Sequence, residues 1–329
     1  MLTPAILALV LPLWSGSASC RPCHASQWSR QQESAHANAL RREAEHQLKE
    51  RFTSDDTSYR PPNFRFLFMR EGGALHVRAD DGTYATTIPL EWAFGAGVQA
   101  VTFVSRVDSS HHLEHAFTYY RRGETWDLTP RHDQLSSRTL HQAMGQALPT
   151  RGAGLSVTNC FQCHSTGPVQ VNTSGEVVIH EAGVHCEACH GPAGKHVKAG
   201  AVMPKMPRSG VEVNALCGRC HRSDTGQFNW DSVWNVRHQP PYLARSACFA
   251  SGRLSCLTCH APHEQVRRSD AAYYRQRCQT CHTAKAHVQA KTDCIQCHMP
   301  AVSASSRLTF HNHWIGIYGG PLSFLSPRR

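Results

Sequence analysis

The stretch Cys256–His298, CLTCHAPHEQVRRSDAAYYRQRCQTCHTAKAHVQAKTDCIQCH, decides how the rest of the chain is read. It repeats the pattern Cys-x-x-Cys-His three times in 43 residues. That spacing is the attachment signature of c-type haem. Two cysteines three apart can each form a thioether to one vinyl group of the same porphyrin, and the histidine that follows is placed to ligate the iron from one face.

Working outward, the same pattern stands at Cys20–His24, Cys160–His164, Cys186–His190 and Cys217–His221, besides Cys256–His260, Cys278–His282 and Cys294–His298. At this composition chance predicts about 0.05 such motifs in a chain of this length. The seven use Cys20, Cys23, Cys160, Cys163, Cys186, Cys189, Cys217, Cys220, Cys256, Cys259, Cys278, Cys281, Cys294 and Cys297, and leave only Cys248 of 15 cysteines. A zinc site needs four ligands from paired Cys-x-x-Cys units but no histidine after each second cysteine, and a disulfide framework does not need one either. Seven covalently attached haems are therefore expected, with His24, His164, His190, His221, His260, His282 and His298 as proximal iron ligands. Cys248 reads as a free buried thiol.

Hydrophobic residues make up 40% of the 329, while histidine reaches 23. A chain so poor in apolar residues and so rich in ligands is expected to build part of its core from haem. The formal charge of +10 invites a nucleic-acid reading. Seven ferric bis-histidine haems, each about −1, would reduce it to about +3 and full reduction to about −4, so the basic side chains read as partners of propionates. No nucleic acid is expected. Residues 1–19 read as a signal peptide: the apolar run Leu2–Trp14 is too short to span a bilayer, and small residues from Gly16 to Ser19 offer a cleavage site before the first motif.

Residues 20–60 carry the first motif and a Gly- and Pro-free run expected to be helical from Trp28 to Phe52. Residues 61–155 read as a β-rich segment free of haem motifs. Its aromatic and β-branched runs are broken at Glu71-Gly72-Gly73, Asp80-Asp81-Gly82 and Gly95-Ala96-Gly97, with a helix expected near Ser136–Ala147. Residues 156–315 form a six-haem domain of short motif-bearing helices, and 316–329 a loose tail. From Cys160 to His298 six motifs share 139 residues, too few to wrap each haem in its own core. The porphyrins must then touch one another, and the closest pair is expected at Cys278–His282 and Cys294–His298.

Sixteen of the 23 histidines lie outside the motifs, more than enough to cap seven irons. By placement the expected distal ligands are His36, His196, His263 and His313, followed by His287. His263 is too near His260 to cap the same iron, so it should serve a neighbour.

The pieces CRPCHASQWSRQQESAHA, HCEACHGPAGKHV, SGRLSCLTCHAPH and TDCIQCHMP followed by FHNHW resemble the multihaem c-type cytochromes that include tetrahaem partners of hydroxylamine oxidation and relatives often fused to tetratricopeptide repeats. The resemblance implies that His36, His196 and His263 are axial ligands, with His287 and His313 matching less tightly. The fold expected from motifs and resemblance together is mainly α, a multihaem cytochrome with little regular structure around stacked haems, plus a small antiparallel β-rich segment. The expected function is electron relay by an exported heptahaem cytochrome, through mostly bis-histidine haem c, in the periplasm or on the extracellular side of the membrane. Redox partner proteins would be other cytochromes or a quinol-oxidising or reductase complex. The mature chain is expected to lack a transmembrane segment, and an oligomer is left open. Two other readings stand beside it: an oxidoreductase acting on a small nitrogen or sulfur oxyanion at one five-coordinate haem, and a subunit of an extracellular cytochrome filament.

Overall fold

The computed structural model describes residues 13–53, 58–60, 63–135, 137–152, 154–199, 206–222, 228–282, 293–319 and 325–327. The chain divides into two compact units, Met1–Pro204 and Lys205–Arg329.

The first unit is dominated by strands: β1 (Leu40–Arg42), β2 (Ser58–Arg60), β3 (Phe64–Glu71), β4 (Ala74–Asp80), β5 (Ala85–Pro89), β6 (Trp92–Phe94), β7 (Ala100–Arg106), β8 (His111–Tyr120), β9 (Thr125–Leu128), β10 (Gly145–Pro149), β11 (Ser165–Val171) and β12 (Val177–Ala182). An antiparallel sheet runs β2-β3-β4-β5, and a larger one runs β1-β6-β7-β8-β10 with β9 also on β8. The turns are those the sequence announces. Gly72 and Gly73, both at positive φ, form the two-residue loop between β3 and β4. Asp81 accepts from the Thr83 and Tyr84 amides where Gly82 turns the chain into β5.

Alternation along β3 buries Phe64, Phe66 and Phe68 on one face. They meet Phe52, Val77, Phe103, Phe117 and Trp126 in one core, where the Phe68 and Trp126 rings stack at 3.6 Å. A second apolar cluster joins Leu40, Trp92, Phe94, Val104 and Leu148 to Phe161, from the helix Val157–His164, and to Val177 of β12. The larger sheet thus contributes to two cores, which explains the near-continuous burial of β8. This is what positions the second motif: its helix lies on the sheet through Phe161, whose ring meets Trp92 and Phe94 edge-on at 5.2 and 5.0 Å. The hairpin β11–β12 then starts directly after His164 and ends four residues before Cys186.

The second unit has short helices at Gly210–His221, Gln239–Ala244, Ala247–Ala250, Cys256–Cys259, Ala271–Gln279 and Cys294–His298, with β13 (Ala301–Ser303) paired to β14 (Thr309–His311). A capping box of Ser209 and Glu212 starts the first of these helices. Its aromatic core gathers Phe228, Tyr242, Trp230, Phe310 and Trp314, with the Arg245 guanidinium 3.8 Å over Trp230.

Three expectations are corrected. The fold is not mainly α: four antiparallel sheets run through both units, and the described helices span only four to twelve residues. A motif needs only a turn or two of helix, whereas the apolar alternation before and between motifs is satisfied by strands. The helix expected from Trp28 to Phe52 stops at Gln32. Beyond it Ala37 and Leu40 are fully buried and β1 pairs with β6. Glu43, 2% exposed, is drawn into an ion pair with Arg70 at 2.6 Å, so tertiary contacts override helix propensity. Of the helix expected near Ser136–Ala147 only Leu140–Ala143 forms, capped by Thr139, before the chain enters β10.

The β core also holds a titratable group. His115 is buried, and its Nε2 lies 2.8 Å from the Ser105 hydroxyl, which itself donates to Pro89 O. Burial, with a smaller push from His132, lowers its pKa to about 3. Between pH 6.5 and about 3 the unfolded chain therefore takes up a proton that the folded unit refuses, and stability falls with pH by about 1.4 kcal/mol per unit over that window. Urea denaturation across this range should show a steeper slope in the wild type than in His115→Gln, the difference being the His115 contribution.

Candidate haem sites

Each motif is a single turn that presents two thiols and an imidazole. Cysteines three apart share a helix face, and the histidine amide returns to the first cysteine's carbonyl at 2.9 Å in His24, His260 and His282. No disulfide joins any of the 15 cysteines. The first cysteines come together in pairs: within the first unit Cys20 and Cys186, and within the second Cys217 with Cys256 and Cys278 with Cys294, each pair within hydrogen-bonding reach. Burial, with the neighbouring Cys186, pushes the Cys20 thiol up to about 12. The hydrogen bond from Cys256 lowers Cys217 and raises Cys256 itself. Cys160 stands apart from these pairs on the sheet-backed helix. Burial and then Glu114, which also bonds His132 at 3.1 Å, raise its pKa to about 11.

The imidazoles decide what these turns can hold. His24 and His196 face each other with ring centroids 6.4 Å apart and planes 29° from parallel. In the second unit His260 and His313 face at 6.2 Å and 32°. Two metal–nitrogen bonds of about 2 Å, plus the ring halves, separate the centroids of two axial imidazoles by about 6 Å. The donor set fits a bis-histidine iron in both places. His196 Nδ1 is buried with no hydrogen-bond partner. His313 is held by its backbone: its carbonyl accepts from the Ser246 hydroxyl at 3.1 Å, and Ile315 N donates back to that hydroxyl at 2.8 Å. Burial and the nearby His260 lower His313 to about 4, keeping it the neutral imidazole that a metal requires.

Two proximal histidines are oriented by carbonyls. His164 Nδ1 donates to Ala39 O at 2.9 Å and His298 Nδ1 to Gly316 O at 2.8 Å, which fixes the orientation of each ring. The Tyr274 hydroxyl lies 3.5 Å from His260 Nδ1.

Of the other expected ligands, His36 is exposed beside the third motif, its carbonyl accepting from Val184 N at 2.8 Å. His263 is half-buried. His287 lies outside the described residues. Other histidines are tied up within the polypeptide. His46 uses Nε2 on Gly95 O and Nδ1 on Leu48 N; His185 donates from Nε2 to Ala182 O and accepts at Nδ1 from Gln32 Nε2; His132 holds Glu114. The surplus of ligands counted from sequence is smaller than it looks, because a share of it is hydrogen-bonding material of the β unit.

Comparison with known proteins agrees with this chemistry. Residues 115–191, which include the second and third motifs, match the family of cytochrome c554 and c-prime. The multiheme cytochrome MtrA of Shewanella baltica (strain OS185) is 28% identical over 137 residues, 36% of this chain. These likenesses support a multihaem c-type cytochrome with covalently bound haem c. The chain spans only 36% of the length of that relative. The crystal structure of the outer cell wall cytochrome OcwA aligns with 92% of this chain and 79% of its own, at 13% identity and a TM-score of 0.49. Among the described residues no helix is long and apolar enough to cross a membrane.

The two classes of histidine separate under substitution. His185→Ala should cost about 1–3 kcal/mol of stability, since it strips partners from a buried carbonyl and amide. It should leave the absorption spectrum of the oxidised, haem-loaded protein unchanged, a result read by denaturation and optical spectroscopy on one sample.

Proposed function

We propose that the chain is an exported seven-haem c-type cytochrome that relays electrons between redox partner proteins, such as other cytochromes or a quinol-oxidising or reductase complex. The observation that carries this reading is the pair of opposed imidazoles, His24 with His196 and His260 with His313, at 6.4 and 6.2 Å. Haem iron between two imidazoles exchanges single electrons and offers no open position to a substrate.

The chain's own residues then have distinct tasks. The fourteen motif cysteines fix each porphyrin covalently. His164 and His298, locked by Ala39 and Gly316, hold one ring orientation and resist reorganisation when charge changes. The apposed thiols Cys20/Cys186, Cys217/Cys256 and Cys278/Cys294 would anchor porphyrin edges side by side, as a relay needs. The pair expected to be closest is one of these three. His36, His263 and His287 are proposed as further caps. Export is supported by covalent attachment chemistry and by the apolar run at the start of the sequence.

The second reading is an oxidoreductase with one five-coordinate haem. It is favoured by the number of histidines that hydrogen bonding in the β unit withdraws from ligation, among them His46, His132 and His185. Low-temperature EPR of the oxidised protein separates the two. A relay should show only low-spin ferric signals, and a high-spin signal integrating to one haem would sink it. His196→Ala and His313→Ala should each convert one haem to high spin. An unchanged spectrum in either removes that histidine from the ligand set.

A further inference from the structure

The residues just ahead of the first motif are built into the first unit. Glu187, in the first turn of the helix Cys186–His190, is 2% exposed. Its carboxylate accepts from Ser15 N at 3.0 Å, Gly16 N at 2.8 Å and Ala193 N at 2.7 Å. Glu181, near the end of β12, accepts from Ser17 N at 3.1 Å and from the Ser17 hydroxyl. Trp14 packs on the His180 ring at 6.0 Å, and Ser17 is buried. Gly16 takes φ +76°, a conformation that favours glycine and turns its amide and that of Ser15 toward one carboxylate. Ser19 closes the loop through its hydroxyl to Ser15 O at 2.8 Å and its amide to Gly16 O at 3.1 Å.

We propose that residues 14–19 belong to the mature protein as a strap that binds the first motif to the third, and that any leader removed on export is cut ahead of Trp14 rather than before Cys20. A cut at Cys20 would take two of the three backbone donors from Glu187 and both donors from Glu181. It would leave Glu181 without either donor and the almost fully buried Glu187 with Ala193 N alone of its three backbone donors, beside the Cys20–Cys186 thiol pair. The sequence near Gly16–Ser19 looks like a cleavage site because its residues are small. In the fold, smallness serves a tight turn under a buried carboxylate.

The reading rests on the proposed export only for the leader, so haem content and processing are measured separately. The haem-loaded protein is purified from a bacterium with c-type haem maturation. Pyridine haemochrome then counts haem, and intact mass with N-terminal sequencing locates the first residue. A chain starting at Trp14 or earlier is expected, and a start anywhere after Trp14 overturns the proposal whatever the haem count. Hydrogen exchange gives a second readout. The amides of Ser15, Gly16 and Ser17 should exchange at least about tenfold more slowly than unprotected amides. Glu187→Gln should speed Ser15 and Gly16 without altering the haem count. Unprotected exchange at all three in the wild type would also overturn the strap.

Discussion

Two imidazoles opposed across about 6 Å, His24 with His196 and His260 with His313, are too far apart to hold one another in place. Each ring must be held by its own surroundings. His313 is fixed through its carbonyl and the Ser246 hydroxyl and, at the ring, by Nδ1 donating to His311 O at 2.9 Å. His196 differs, with a buried nitrogen that has no polypeptide partner. Short helices carry the motifs to which His24 and His260 belong or that lie beside them.

The first unit shows how a polypeptide with limited apolar content manages this. It concentrates its aromatic residues in a β assembly whose larger sheet shares in two cores. One core closes the unit on itself. The other carries the helix of the second motif and the hairpin that leads to the third. The sheet is therefore a base plate for attachment sites rather than an appendage, and its buried histidines are structural members. His115, His132 and His185 hold hydroxyls, a carboxylate and backbone groups in place, roles far commoner for histidine than ligation.

The attachment motifs were legible because covalent chemistry dictates their spacing locally: two residues between the thiols and the imidazole directly after the second. The β turns at Gly72-Gly73 and Asp81-Gly82 were legible for a similar reason, since positive φ selects its residues within a short window. What could not be read is what distance in sequence hides. Nothing local pairs His24 with His196, or Cys20 with Cys186. The segment Trp28–Phe52 has the composition of a helix, but Leu40 and Glu43 are claimed by a strand and an arginine that lie far along the chain. The mainly α expectation erred in the same way. It extended the character of the motifs to the sequence between them, where hairpins such as β11–β12 do the connecting.

The apposition of first cysteines makes the thiols of each pair rivals before it makes them neighbours. In the Cys217–Cys256 pair the hydrogen bond between the two lowers the Cys217 thiol and raises Cys256. Two apposed thiols can be joined by an oxidant. One disulfide would consume an attachment point at two motifs at once, and so disable two sites for each error. Were assembly to take place in an oxidising compartment, thioether and disulfide formation would compete. The fold brings the thiols together only once distant motifs have docked, so attachment to the extended chain, before docking, is the order that favours the thioethers.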